Sequence, residues 1–127
     1  MSKIIPIVAV LPLRLVSEAN VRHHWRQRAE RTKAHRSVTL MVLSFGVRQR
    51  GLADTRKSLL GNRQLVVRLG RVGKNLLDDD NLRGAFKAVR DGIADALLLK
   101  DNDPRIAWEY SDARGPSYEC RIEIALA

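Results

Sequence analysis

Three stretches of this chain have the alternating apolar pattern of β-strands. Apolar residues alternate at 106–110 and 118–126, and within 64–72 at Leu65, Val67 and Leu69, which predicts three strands with one buried face each. A further strand is predicted at 4–15. Pro6 lacks the N–H that a ladder of hydrogen bonds requires. This strand is therefore expected to lie near a sheet edge, or to have Pro6 at its start.

Two longer stretches have helical spacing instead. The clearer helix is predicted over 81–99, where apolar residues recur every three or four positions. The other helix is predicted over 21–47, with Ser17 or Asn20 as its N-cap. Its second half has a predicted buried stripe, formed by Val38, Met41, Val42 and Phe45.

The first half of the earlier helix is basic and predicted to be solvated. Trp25 lies in this half and has two interpretations, because its indole can pack as an apolar foot for the helix or stack against a nucleic-acid base. Packing is favoured, since a single tryptophan among amphipathic positions usually packs.

Together these elements predict one mixed α/β (α+β) domain over residues 1–127. The element order is β-α-β-α-β-β, with two helices packed on a mixed sheet. Because the turn at Asp112–Pro116 separates the last two strands, those strands are expected to form a hairpin. A chain of 127 residues is long enough for one hydrophobic core and too short for two.

The charge of the chain indicates an anionic binding partner. The net charge is +9, and 17 of the 23 basic residues are arginine, whose planar fork suits phosphate. Nucleic acid is the favoured partner, with an anionic membrane surface as the competitor. No apolar run reaches the roughly 20 residues of a membrane helix. The single cysteine, Cys120, excludes an internal disulfide and fits a reducing compartment, so a cytoplasmic protein is expected.

Three successive aspartates, Asp78 to Asp80, precede the second predicted helix. Asp79 or Asp80 can cap that helix, but capping requires only one carboxylate. Asp78 and Asp80 would point the same way from an extended backbone. Oxygen ligands of this kind suit Mg²⁺, with Mn²⁺ as a possible substitute.

Lys87 and a second acidic cluster follow. Lys87 can reach back toward Asp80 to orient a phosphate, or it can pair with Asp91 one turn later; its spacing fits both equally. Asp101 and Asp103 follow the helix and have the composition of a turn. The two acidic clusters meet only if the helix ends early or the chain folds back.

These residues resemble the RusA-type Holliday-junction resolvases, small and often prophage-encoded endodeoxyribonucleases that depend on magnesium. The matching features are Asp78-x-Asp80-Asn81-Leu82, a helical lysine followed by Ala88-Val89, and a cluster ending Asp103-x-x-Ile106. The succession Pro12, Ser17, Asn20, Trp25-Arg26 is similar to the family's N-terminal pattern. The family's lysine usually stands where this chain has Gly84, and its later aspartates are usually adjacent.

The resemblance implies a homodimer that binds branched DNA and resolves four-way junctions by paired nicks, without a membrane or a small-molecule cofactor. By position, Asp78, Asp80 and Asp103 would hold the metal, with Asp101 as the alternative to Asp103, and Lys87 would be the essential lysine.

Polar and basic residues are expected to bind the DNA, mainly by gripping its phosphates without reading bases. They are Asn20, Arg22, Arg26, Arg28, Lys33, Arg36, Arg68, Arg71, Lys74 and Arg83. The rival interpretation is a non-catalytic DNA- or RNA-binding module, in which the aspartates are caps and turns.

Overall fold

The computed structural model describes residues 7–16, 25–46, 53, 55–57 and 63–127. They form a mixed α/β domain, as predicted. The strands are β1 (Ile7–Leu11), β2 (Leu65–Gly73), β3 (Ile106–Arg114) and β4 (Glu119–Leu126). The helices are α1 (Trp25–Met41), α2 (Asp79–Ala85) and α3 (Lys87–Leu97), and a π-helical turn at Val42–Gly46 follows α1.

The four strands form one mixed sheet in the order β1-β4-β2-β3. β4 is antiparallel to both β1 and β2, whereas β2 and β3 run parallel and are joined through α2 and α3. β1 lies at one edge of the sheet, as its proline predicted.

The predicted hairpin between the last two strands is wrong. β2 lies between β3 and β4, so the connection after Arg114 passes the end of β2, where the Gly115 N–H donates to the Gly73 carbonyl at 3.0 Å. Alternation along a strand specifies which face is buried and leaves the neighbouring strand undetermined.

The core lies between one face of the sheet and the helices. Val67 and Leu69 of β2 and Ile122 of β4 are fully buried together with Phe86 and Ile93 of the helical segment. Each such side chain contributes about 1.5–3 kcal/mol by leaving water. The described helices therefore cover one face of the sheet.

The helix predicted over 81–99 is divided in two at Phe86, whose backbone (φ −88°, ψ −3°) lies between α2 and α3. Bonds of helical spacing cross this junction, because Phe86 donates to the Leu82 carbonyl at 3.3 Å and Arg90 donates to the Phe86 carbonyl at 2.8 Å. The side chains consequently keep roughly one helical phase through it. α3 ends at Leu98, which adopts the left-handed conformation (φ 60°).

The stripe predicted for α1 is partly wrong. Met41 and Phe45 are 60% and 76% exposed, whereas Thr39 and Leu43 are fully buried. Thr39 tolerates burial because its hydroxyl donates to the His35 carbonyl at 2.7 Å. It packs against Gly92 of α3, where an added Cβ would lie 2.7 Å from the Arg36 carbonyl oxygen. Close helix contact therefore sets which side of α1 is buried.

Candidate functional site

The first acidic cluster begins at the N-cap of α2. Asp78 has an extended backbone, and its carboxylate accepts hydrogen bonds from the Asn81 backbone N–H and side-chain amide, both at 2.9 Å. Asp79 and Asp80 lie in the first turn and are exposed. The capping residue is Asp78, one or two positions before the residues predicted for that role.

A buried ion pair holds the segment that leads to Asp78. Arg71 is 5% exposed and donates to Asp112 at 2.9 Å and to the Leu15 and Asn75 carbonyls, each at 2.9 Å. The other oxygen of Asp112 accepts from the Leu77 N–H at 2.7 Å. The predicted phosphate contact for Arg71 is therefore withdrawn, because its guanidinium is engaged inside the domain.

Lys87 stands in the first turn of α3 between two carboxylates. Its Nζ lies 3.1 Å from Asp91 and 2.7 Å from Asp101. The hydrogen bond to Asp101 is the main reason that the pKa of Lys87 is raised and that of Asp101 is lowered. Of the two interpretations of Lys87, the structure has the pair with Asp91 and adds Asp101 to it.

Asp101 reaches Lys87 because the chain folds back after Leu98. Two donors fix its carbonyl oxygen: Arg90 Nη2 at 3.1 Å and Trp108 Nε1 at 3.0 Å. The Arg90 guanidinium lies 4.5 Å from the Trp108 ring centroid and donates to the Tyr110 hydroxyl at 2.8 Å. Sequence reasoning did not assign this role to Arg90 or Trp108, and the fold-back that creates it has no local signature.

Asp103 is engaged separately. Its carboxylate pairs with the Arg105 guanidinium at 2.9 Å and accepts from the Arg105 backbone N–H at 2.9 Å. These contacts lower the pKa of Asp103 to about 2. Asp101 and Asp103 are thus directed to different partners, and of the two it is Asp101 that contacts Lys87.

The carboxylates of the two clusters are not gathered into one coordination shell. Among the residues that the structure describes, no group of three or more His, Cys, Asp or Glu side chains is arranged to hold a metal ion. Asp78 faces Asn81, Asp101 faces Lys87, and Asp103 faces Arg105. A shared ion would require at least one of these carboxylates to exchange its partner.

Gly84 and Lys87 border the same cleft. It encloses about 320 Å³ between α1 and the junction of α2 with α3, and its walls include Thr32 and His35. A Cβ added at Gly84 would meet nothing within 4 Å. A side chain at either position therefore reaches the same space.

The predicted DNA-binding residues have different surroundings. Exposed basic residues are found on α1, at the end of β2 and on α2: Arg26, Arg28, Lys33, Lys74 and Arg83. Arg36 pairs with Asp95 of α3 at 2.7 Å, and Arg68 pairs with Glu109 and Glu123 across the sheet. Asn20 and Arg22 lie outside the described residues.

None of the described helices is long and apolar enough to cross a membrane.

Comparison with curated proteins identifies a relative of this chain. No protein-family model matches the chain, and no solved structure matches it. An uncharacterized protein of Xylella fastidiosa (strain Temecula1) is 33% identical to it over 82 residues, which are 65% of this chain. The chain spans about half of that relative's length (51%).

Proposed function

We propose that this protein is a magnesium-dependent endodeoxyribonuclease that binds branched DNA and resolves four-way junctions by paired nicks. The observation that carries the proposal is the return of Asp101 onto Lys87. Asp80, Gly84, Lys87 and Asp91 recur every three or four residues across the α2–α3 junction, so they lie on one side of it. Asp101 joins that side from beyond the end of α3 and contacts Lys87. The helical spacing puts Asp80 about two turns before the same lysine.

The donors fit a hard divalent cation. Asp78, Asp80 and Asp101 offer carboxylate oxygens, which Mg²⁺ prefers and Mn²⁺ accepts. Asp101 is a better candidate than Asp103, because Asp103 is held by two groups of Arg105 in its own turn. When bound, the ion would polarise a phosphate and activate a water for attack.

Lys87 would have two roles in this proposal. While it pairs with Asp101, it neutralises a carboxylate that would otherwise repel a phosphate. If Asp101 held a cation instead, the ammonium group would be able to contact the phosphate backbone and to stabilise developing charge. The adjoining cleft with Thr32 and His35 leaves room for that movement.

DNA binding would come from the exposed cations around this site. Arg26, Arg28 and Lys33 on α1, with Lys74 and Arg83 near the acidic cluster, would contact phosphates without reading bases. Paired nicks across a junction require two active sites, so we propose a homodimer. The single cysteine is buried, and we propose a cytoplasmic location.

The decisive experiment is cleavage of a labelled four-way junction and of a matched linear duplex, with magnesium or with EDTA. We expect symmetric, magnesium-dependent nicks in the junction that Asp80→Asn abolishes while DNA binding is retained. Asp79→Asn is the matched control, since Asp79 borders a different cleft with Trp108 and Tyr110 and should leave cleavage intact. Cleavage that survives Asp80→Asn would contradict the assignment.

A second experiment tests the position of the lysine. Lys87→Ala should abolish cleavage, and adding Gly84→Lys should restore part of it, because both positions face the same open cleft. If the double variant stays inactive although it is folded and binds DNA, the two positions are not equivalent. If Lys87→Ala alone retains full activity, Lys87 has only a structural role.

The alternative is a DNA- or RNA-binding module without catalysis. It is favoured by the contacts of the aspartates. Asp78, Asp101 and Asp103 each contact a residue of this chain, and these contacts alone would explain them as structural residues. This module would bind with steep salt dependence and would cleave nothing in magnesium or manganese. Tight junction binding without cleavage would therefore select it.

A further inference from the structure

Trp25 is exposed on the most basic part of α1. Its side chain is 67% exposed, although packing was the favoured prediction for it. Between residues 25 and 36, five basic residues accompany the single acid Glu30. A large aromatic ring that is mostly exposed among cations forgoes much of the burial that such rings usually gain.

The surroundings of Trp25 point to nucleic acid. Along the described helix, the next exposed large apolar side chain after Trp25 is Met41, 16 positions later and about 24 Å along the axis. Within α1, Trp25 is therefore not part of the continuous apolar stripe that a membrane-surface helix would need. A single ring flanked by arginines is instead the combination that stacks bases beside phosphates.

We propose that Trp25 stacks on an unpaired or unstacked base of branched DNA. This inference rests on the proposed function, because it takes branched DNA as the ligand. Bases inside a linear duplex are stacked on both faces, whereas bases at a branch point can expose a face. The Arg26 guanidinium, 5.5 Å from the Trp25 ring centroid, would contact the neighbouring phosphate. Trp25 thus prefers branched DNA without reading its sequence.

The test measures affinity in EDTA, so that no cleavage occurs, for a four-way junction and a linear duplex over a range of salt. Trp25→Ala should weaken junction binding by about tenfold or more and change duplex binding less than twofold. The slope of log affinity against log salt should stay unchanged, because the indole releases no counterions. Trp25→Phe should restore most of the affinity, since a ring remains.

Two control variants accompany the affinity measurement on Trp25→Ala. Phe45→Ala removes an exposed ring from the π-helical turn after α1, 20 positions beyond Trp25, and should leave both affinities unchanged. Arg26→Gln should weaken binding to both DNAs and reduce the salt slope by about one. Thermal melts and light scattering of Trp25→Ala confirm that fold and oligomeric state are retained.

Three outcomes would overturn the inference while leaving the nuclease proposal intact. These are unchanged junction affinity for Trp25→Ala, equal losses on junction and duplex, and a change of oligomeric state that assigns the indole to a subunit contact. If the unaltered protein has no preference for the junction, branched DNA is not the ligand and both proposals fail together. Junction cleavage by the unaltered protein, measured separately, distinguishes these cases.

Discussion

Replacing Asp112 by alanine tests whether the buried ion pair holds the acidic segment in place. The variant would leave the Arg71 guanidinium charged and 5% exposed, with two carbonyl partners and no counter-ion. It would also remove the acceptor of the Leu77 N–H, one residue before Asp78. Asp112 thus joins β3 to the residues that cap α2.

The magnitude follows from these contacts. Breaking a buried pair by removing one partner typically costs about 3–5 kcal/mol, because the remaining charge is uncompensated. Such a loss is a large fraction of a total stability of about 5–15 kcal/mol. Asp112→Asn should cost less, since the amide oxygen can still accept from either Arg71 or Leu77.

Urea denaturation followed by circular dichroism measures the free energy of unfolding. The matched control is Glu109→Gln, which breaks the 3.0 Å pair with Arg68 where both side chains are more than half exposed. An exposed pair of this kind contributes at most about 1 kcal/mol. If Asp112→Ala and Glu109→Gln destabilise the protein equally, the buried network does not carry the stability assigned to it.

Other predictions concern helix packing, titration and thiol chemistry. Gly92→Ala should destabilise the domain by about 1–3 kcal/mol, because the added Cβ would press on α1. Gly84→Ala meets open space and should stabilise the helix by up to about 1 kcal/mol. Similar melting temperatures for the two variants would contradict this packing. Arg105 lowers the pKa of Asp103 to about 2, below the usual value near 3.9. The stabilisation of the fold by this ion pair is therefore complete above about pH 4 and is lost as the pH falls through 2. A carboxyl NMR titration of Asp103 with a midpoint near 4 would refute this prediction. Burial raises the pKa of the Cys120 thiol to about 12. In the native protein this thiol should therefore resist disulfide reagents, which should label it fully in urea. Rapid labelling of the native protein would argue against the burial of Cys120.

The alternation of apolar residues along the chain predicted much of the fold, because the residues that alternate are the ones that the core buries. The strands at 64–72 and 118–126 match β2 and β4 within a residue or two, since their alternating residues line the core. The order of strands was not predictable in this way. β4 lies between β1 and β2 because of pairings at least 47 residues apart in the chain, and no local signal records them.

The candidate site was predictable in its residues and not in its contacts. The acidic run, Lys87 and the second cluster are visible as unusual composition. Their partners depend on the break at Phe86 and on the left-handed Leu98, which turns the chain so that Asp101 returns to Lys87. The burial of Arg71 had a signal that its charge concealed. Position 71 continues the alternation of the buried Leu65, Val67 and Leu69 and therefore lies on the same face of β2.

The place of β4 in the sheet has a consequence for synthesis of the chain on the ribosome. β4 is a central strand and is the last of the four to emerge, so the sheet cannot close until residues 119–126 have left the exit tunnel. Until then β1 has no partner and one edge of β2 is open, which exposes two apolar strands to other nascent chains. A polypeptide stopped before residue 119 should therefore be degraded or aggregate, whereas a chain that includes β4 folds in a late, concerted step.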